Sequence, residues 1–254
     1  MRLCLLLCAV LLPADYARAE ATNITVRVVA RNAQYVGDLV EGAFVTIADA
    51  ASGEMLAQGI TSGNAGNPQR TMRTPRKRGE PIAVEGDAKF SATLDIDEPR
   101  YLQVTAYGPL VKRFTANRAS ATQWIVPGKH LTGGDGWVLE LPGLLVSPNL
   151  ATSTVPLSKA SSGILINAEV MLMCGCPIKP GFYWDPKDYE VVAIIRRGQE
   201  DVGRFPLNYA GTASEFETQF TAHIPGIYDI SVYAYDSASG NTGVGQVELT
   251  VTEN

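Results

Sequence analysis

The chain has 254 residues, of which 46% are hydrophobic and 19% charged, and its formal net charge is −5. An acidic balance of this kind argues against nucleic acid and anionic membrane surfaces as the main partners. About 235 residues follow the N-terminal segment described next, which is enough for one large or two ordinary domains.

The first 19 residues have the pattern of a secretory signal peptide. Arg2 supplies a positive start, residues 3–13 form an apolar run, and Ala17-Arg18-Ala19 has the small-x-small pattern of a cleavage site. The apolar run is shorter than the roughly 20 residues that cross a bilayer. We therefore predict that residues 1–19 are a signal peptide, and that the mature chain is periplasmic or secreted and has no membrane span.

Short strands dominate the segment 20–146. Apolar and polar residues alternate at period 2, the mark of half-buried strands, in the runs 24–29, 43–47, 54–60, 90–96, 101–107 and 137–141. No segment of 11 or more residues shows a convincing apolar pattern at helical spacing, so we expect little helix. The spacing predicts an all-β fold, with an N-terminal β-sandwich over 20–146.

A long loop, 63–87, interrupts the first strand series and carries a basic cluster. Five basic residues fall between positions 70 and 78, among them Arg73, Arg76, Lys77 and Arg78. A loop of this length inside a compact domain is normally functional or disordered. Two interpretations stay open, a mobile hairpin tip or an arm that docks an acidic partner and orders on contact.

A small, polar, proline-bounded segment at 147–157 has the composition of a linker. A second strand series follows it, with runs at 164–173, 189–195, 202–207, 215–224, 227–235 and 244–251. Six strands in about 90 residues are enough for one sandwich. We therefore predict two tandem domains, the second an immunoglobulin-like sandwich over 158–254.

The second half resembles the bacterial immunoglobulin-like and fibronectin-like modules of exported proteins. The residues that carry this resemblance are Pro225-Gly226-Ile227-Tyr228, Val232-Tyr233-Ala234-Tyr235-Asp236 and Gly240-Asn241-Thr242-Gly243. The proline–tyrosine segment also suits a tyrosine corner at Tyr228. The first half more loosely resembles carboxypeptidase-regulatory, transthyretin-like sandwiches through residues 42–47 and the turn Ser52-Gly53. The resemblance implies a module that binds partners or serves as an accessory subunit, and it brings no catalytic residues.

The segment Met171-Leu172-Met173-Cys174-Gly175-Cys176 concentrates the unusual chemistry of the chain. Its two cysteines are the only ones in the predicted mature chain. Two lone cysteines in an oxidising compartment usually form a disulfide, and Gly175 permits the necessary bend. Two thiolates and two thioethers, from Met171, Met173, Cys174 and Cys176, would instead suit Cu(I). A structural disulfide, a copper site and a redox-active or intermolecular disulfide all stay open.

Three consecutive aromatic residues, Phe182, Tyr183 and Trp184, follow the cysteines. They cannot all face one core. Aromatic side chains commonly anchor protein contacts, although these three could instead cover the open end of the sandwich. We predict that they bind a partner, and, as a separate candidate for partner binding, we name Arg73, Arg76, Lys77 and Arg78 of the basic loop.

Catalytic patterns are absent from the sequence. Nucleophilic catalysis needs a histidine and an orienting acid near the nucleophile, and the two histidines, His130 and His223, stand far apart in the sequence with no such set around them. We predict a non-catalytic binding or accessory module without a cofactor, which acts through the Cys-x-Cys loop face of the second sandwich and whose partner is another exported or periplasmic protein. The alternative is a periplasmic copper-binding or thiol-redox protein.

Overall fold

The computed structural model describes residues 19–253, so the predicted signal peptide lies outside the described residues except for Ala19. The described part of the chain holds sixteen strands and two short α-helices. The strands are β1 (Glu20–Ala30), β2 (Phe44–Asp49), β3 (Met55–Ile60), β4 (Phe90–Ile96), β5 (Arg100–Gly108), β6 (Asn117–Ile125), β7 (Trp137–Leu141), β8 (Leu144–Leu150), β9 (Thr154–Pro156), β10 (Ile164–Leu172), β11 (Tyr189–Arg197), β12 (Glu200–Pro206), β13 (Asn208–Tyr209), β14 (Glu215–Phe220), β15 (Gly226–Asp236) and β16 (Asn241–Thr252). The helices are α1 (Pro68–Met72) and α2 (Leu157–Ala160), and single 3-10 turns lie at Asp38–Val40, Arg113–Thr115 and Pro186–Asp188.

The first sandwich pairs two sheets, one ordered β4-β1-β7 and the other β3-β2-β5-β6. Alternate residues of each strand face the core, as period-2 patterning requires. Val26 and Val28 of β1, Ile47 of β2, and Leu102 and Val104 of β5 are completely buried between the sheets. β1 lies in the middle of its sheet, antiparallel to β4 and parallel to β7.

The second sandwich pairs a sheet ordered β13-β14-β10-β8 with one ordered β12-β11-β15-β16-β9. The predicted tyrosine corner is confirmed, because the Tyr228 hydroxyl donates to the Ile224 carbonyl oxygen at 2.6 Å. The all-β prediction is also confirmed, since both halves of the chain are β-sandwiches. The second half is thus a β-sandwich of two sheets that carries a tyrosine corner.

The boundary between the two sandwiches differs from the predicted linker at 147–157. β8 begins at Leu144, only two residues after β7, and pairs with β10 of the second sandwich along its whole length. The connection between the sandwiches is therefore Pro142-Gly143. Residues 147–150 continue β8, and β9 and the first residue of α2 occupy positions 154–157 of the predicted linker. Proline, here Pro148, is tolerated because β8 is an edge strand of its sheet.

The two sheets of the second sandwich approach very closely where β16 crosses β8. A Cβ atom on Gly243 would lie 2.1 Å from the Leu144 carbonyl oxygen, and one on Gly245 would lie 2.3 Å from the Val146 carbonyl oxygen. Because these neighbours are backbone atoms of the opposing strand, only glycine fits at either position.

The loop 63–87, for which a mobile hairpin tip and a partner-docking arm both stayed open, contains the short helix α1. Asn67 caps α1, since its side chain accepts from the backbone N–H groups of Gln69 and Arg70, and Pro68 occupies the first helical position. This Asn-Pro start is a recognised helix signal. The helix spans only five residues, too few to show a helical period in the sequence.

Two carboxylates fasten the same loop to the body of the first sandwich. Arg70 forms an ion pair with Asp87, which is 5% exposed, at 2.5 Å. Asp135, in the loop before β7, accepts hydrogen bonds from the backbone N–H groups of Ile82 and Ala83 at 2.8 Å. Both ends of the basic segment are therefore held, and only its middle extends from the surface.

None of the helices formed by residues 19–253 is long and apolar enough to cross a bilayer.

Candidate partner-binding surface at the joint between the sandwiches

The Cys-x-Cys loop follows β10 and closes on itself through a Cys174–Cys176 disulfide. The two Cα atoms lie 5.3 Å apart, which an extended chain could not achieve across two residues. Gly175 supplies the bend with φ of +75°. Both cysteines are buried, at 0% and 2% exposure. Of the alternatives left open, the structure contains a disulfide within the chain, and this bond lies inside the molecule.

This loop packs against the first sandwich. A Cβ atom on Gly175 would lie 2.5 Å from Cγ1 of Val40 and 3.3 Å from the side chain of Leu39. The Gln34 Oε1 atom lies 3.3 Å from Cys176 Sγ. Because disulfide sulfurs carry no proton, that approach is a contact and not a hydrogen bond. The loop that we predicted as an outward functional face is therefore a joint between the two sandwiches.

The two methionines of the segment do not share one environment. Met173 is 2% exposed, and its Cε lies only 2.5 Å from where a Cβ atom on Gly143 would be. Met171 is half-buried and forms an isolated backbone bridge with Pro177. A Cu(I) site on these sulfurs needs both cysteines as thiolates, so it would require reduction of the disulfide first. Within residues 19–253, no three His, Cys, Asp or Glu side chains come together as a metal site.

Trp184 fixes the aromatic segment at the same joint. Its side chain is 3% exposed, and its Nε1 donates to the Asn32 carbonyl oxygen of the first sandwich at 2.9 Å. The Phe182 and Tyr183 rings pack at 6.0 and 5.9 Å from the Trp184 ring, centroid to centroid. Trp184 is thus an internal contact of this chain, whereas Phe182 and Tyr183 are half-buried and still reach the surface.

The basic loop docks onto these aromatic rings. The Arg73 guanidinium carbon lies 4.5 Å from the centroid of the Tyr183 ring, and the Tyr183 hydroxyl donates to Gln69 Oε1 at 3.0 Å. On the other side, Lys179 Nζ lies 4.4 Å from the centroid of the Phe182 ring. Cations over aromatic faces attract the ring quadrupole. The structure therefore brings together the two segments that the sequence suggested separately as partner-binding.

Three further cations extend from this contact into solvent. Arg76, Lys77 and Arg78 are exposed, and the Glu80 carboxylate caps their turn by accepting from the Lys77 backbone N–H at 3.2 Å. We call the set formed by Phe182, Tyr183, Arg73, Arg76, Lys77 and Arg78 the cationic–aromatic surface. It joins residues from both sandwiches.

A half-buried carboxylate, that of Asp185, shapes the aromatic segment. Asp185 accepts hydrogen bonds from the backbone N–H groups of Gly181 and Lys187, at 2.9 and 3.2 Å. These hydrogen bonds, with the Gly181 bond the largest cause, lower the pKa of the Asp185 carboxyl below its usual range. The carboxylate form therefore holds the turn around Phe182 and Tyr183.

A second polar cluster lies beneath the docked loop. Arg27 is 8% exposed and donates to the Asp87 and Ala88 carbonyl oxygens at 2.9 Å. The Arg27 guanidinium carbon also lies 5.6 Å from the centroid of the Tyr35 ring. The Tyr35 hydroxyl finds no hydrogen-bond partner among the described residues. Burial, with the Asp135 charge as a second cause, raises the pKa of Tyr35 to about 12.

Several contacts at the joint were not predicted from the sequence. Asn241 donates to the Arg31 carbonyl oxygen at 3.0 Å, and Lys112 pairs with Glu169 across the two sandwiches. Asn241 also accepts from the backbone N–H of Gly143 at 3.0 Å, which fixes the connection itself. A buried asparagine at a strand start, as Asn241 is at 1% exposure, has no pattern in the sequence that reveals its distant partner.

The histidines do not assemble a catalytic site. His130 Nδ1 accepts from the Asn23 backbone N–H at 3.2 Å, and His223 lies between β14 and β15 with its side chain exposed.

The sequence matches no known protein-family model and no curated protein. Among solved structures, fibronectin(III)-like modules of CbhA from Clostridium thermocellum are similar to this chain at 12% sequence identity and a TM-score of 0.29. That similarity covers 92% of this chain and 87% of the other.

Proposed function

We propose that the mature chain is a non-catalytic binding or accessory module that contacts an exported or periplasmic protein through the cationic–aromatic surface. The observation that carries the proposal is the docking of Arg73 on the Tyr183 ring, 4.5 Å from its centroid. This contact merges a basic segment and an aromatic segment from different sandwiches into one continuous surface. Its chemistry fits a partner with an acidic patch.

The residue types support this assignment. Arginine and tyrosine are enriched among the side chains that contribute most to protein interfaces. Arg76, Lys77 and Arg78 project into solvent at one place on a chain whose net charge is negative. An acidic partner would be attracted to this region and repelled by the rest of the protein, which gives both orientation and a faster association rate.

The base of the surface is rigid, which favours binding. The Cys174–Cys176 disulfide, the Trp184 hydrogen bond and the Arg70–Asp87 ion pair hold the aromatic rings and α1 in place before any partner arrives. Preorganised side chains lose less conformational entropy on binding than mobile ones do.

The experiment has two steps. A photo-crosslinking amino acid at position 76, with a second at exposed position 159 as control, is used in the native compartment to identify partners captured at position 76 alone. Binding of the purified partner is then measured for the wild type and for the Arg76→Glu/Lys77→Glu/Arg78→Glu variant. We expect at least tenfold weaker binding for the variant and a steep decrease with added salt.

A matched charge reversal on the second sandwich serves as the control. The Lys159→Glu/Arg196→Glu/Arg204→Glu variant makes the same change in net charge at three other exposed cations. It should bind the partner as the wild type does. Equal affinity of all three proteins, or binding that does not respond to salt, would contradict the proposal.

A further inference from the structure

The outer face of the sheet β3-β2-β5-β6 is largely exposed in the described part of the chain, and only its Tyr107 end meets another element, where the Tyr107 hydroxyl donates to the Arg113 carbonyl oxygen at 3.0 Å. One side of this sheet packs on the core through residues such as Ile47 and Leu102, which are completely buried. The other side carries the alternate residues. Along β5, these are Tyr101, Gln103, Thr105 and Tyr107, all partly or largely exposed.

Aromatic residues occupy both ends of this face. At one end, Tyr101 pairs with Trp124 of β6, their ring centroids lie 5.3 Å apart, and Trp124 is 65% exposed. At the other end, Tyr107 lies beside Phe44 of β2. Tyr101 and Tyr107 are six residues apart on one strand, so they are separated by about 20 Å.

The middle of the face is polar and uncharged. Gln58, Thr46, Thr105 and Ser120 are direct neighbours in register and form a row across all four strands. The side chains of these four residues and of Gln103 take part in none of the side-chain hydrogen bonds found among residues 19–253, although their backbones pair within the sheet. Amide and hydroxyl groups each offer donors and acceptors, so a ligand lying across the row could use both.

Charge is nearly absent from this face. Among the residues of the four described strands that point to this face, Arg118 is the single charged one. Its guanidinium carbon lies 5.8 Å from the centroid of the Tyr107 ring. A face with a single charged side chain, on an otherwise acidic protein, complements a ligand that carries no charge. It offers little to a polyelectrolyte.

We propose that this outer sheet face binds a neutral glycan chain. The C–H groups on the face of a sugar ring carry partial positive charge and stack on the negative faces of Trp124, Tyr101 and Tyr107. The sugar hydroxyls exchange hydrogen bonds with the amides and hydroxyls of the polar row. The separation of about 20 Å between the aromatic ends suits several linked sugar units lying along β5.

The arrangement favours a glycan over a protein partner. Protein interfaces place apolar side chains at the centre and polar ones at the rim. This face has the reverse order, with Thr105 and Gln103 in the middle of β5 and aromatic rings at its ends. An elongated ligand with alternating apolar and hydroxyl surfaces matches that order.

The test is native affinity electrophoresis in gels that contain a neutral β-glucan, a neutral xylan, a neutral mannan or an anionic pectate. We expect retardation by at least one neutral polysaccharide and none by pectate. The Trp124→Ala variant and the Gln103→Ala/Thr105→Ala variant should each weaken the binding at least tenfold. Because these side chains are exposed, circular dichroism and the melting temperature should stay at the wild-type values.

The Tyr235→Ala variant is the matched control, since Tyr235 is an exposed aromatic residue on the second sandwich, 37% exposed. It should bind the glycan as the wild type does. Retardation by none of the neutral polysaccharides, retardation by pectate alone, or full binding by Trp124→Ala would overturn the proposal. Loss of a protein contact on Trp124→Ala without any glycan binding would assign the face to a protein partner instead.

Discussion

Trp184 is the side chain whose replacement tests most directly whether the two sandwiches unfold as one unit. Its ring is 3% exposed at the joint, and Nε1 donates to the Asn32 carbonyl oxygen of the other sandwich. Trp184→Ala removes a large buried ring, so we expect the free energy of unfolding to fall by about 3–5 kcal/mol. Trp184→Phe retains most of the packing and loses the hydrogen bond, so we expect a loss of about 1 kcal/mol.

The assay is urea unfolding followed by tryptophan fluorescence and by far-UV circular dichroism. In Trp184→Ala, the remaining tryptophans, Trp124 and Trp137, both lie in the first sandwich. Fluorescence then reports that sandwich alone, while circular dichroism reports both. We expect the two transitions to coincide in the wild type and to separate in Trp184→Ala.

Trp124→Ala provides a control of the same residue type. Trp124 is 65% exposed, so we expect its replacement to change the free energy of unfolding by less than about 0.5 kcal/mol. A loss below about 0.5 kcal/mol for Trp184→Ala, which is the range of surface changes, would refute the reasoning. So would transitions that still coincide after a loss of the expected size.

Three further predictions concern the interior. Burial raises the pKa of the Tyr35 phenol from 10.0 to about 12, so its neutral form contributes stability that is complete below pH 10 and is lost as the pH rises towards 12. The Tyr35→Phe variant should therefore show a smaller fall in melting temperature between pH 9 and pH 12 than the wild type. An unchanged fall would contradict this. Gly243→Ala places a Cβ atom 2.1 Å from opposing backbone and should destabilise the protein by about 3 kcal/mol, whereas Gly133→Ala, with nothing within 4 Å, should leave the urea midpoint unchanged. The buried disulfide sulfurs of Cys174 and Cys176 should resist alkylation in the folded protein without a reductant, and the protein from its native compartment should contain no copper; about one copper per chain, lost on Cys174→Ser, would support the copper alternative instead.

Strand positions were largely predictable because each strand of a sandwich has one buried face. β4 and β7 begin and end where the alternation of apolar residues placed them. β6 was missed because, as a sheet edge, it has mainly small and polar residues before Trp124 and Ile125. β8 was taken as linker because of Pro148 and its polar neighbours, and an edge strand tolerates both.

The residues of the candidate site were predictable from the sequence, whereas the contacts that bring them together were not. The sequence singled out Cys174 and Cys176 as a disulfide or a copper site, and separately an aromatic and a basic segment. The contact of Arg73 with Tyr183 joins residues 110 positions apart in the chain. No local pattern encodes such a contact, because it depends on how the two sandwiches pack against each other.

The two-residue connection Pro142-Gly143 has a practical consequence for anyone who wishes to divide the chain. A cut at residue 147 or later, where the composition invites it, would remove part or all of β8 from the second sandwich and leave the edge of β10 without its neighbour. Exposed strand edges of this kind pair with other molecules and aggregate. If a C-terminal fragment made this way is insoluble, the missing part of β8 is a sufficient cause. Its insolubility would not show that the second sandwich is unable to fold alone.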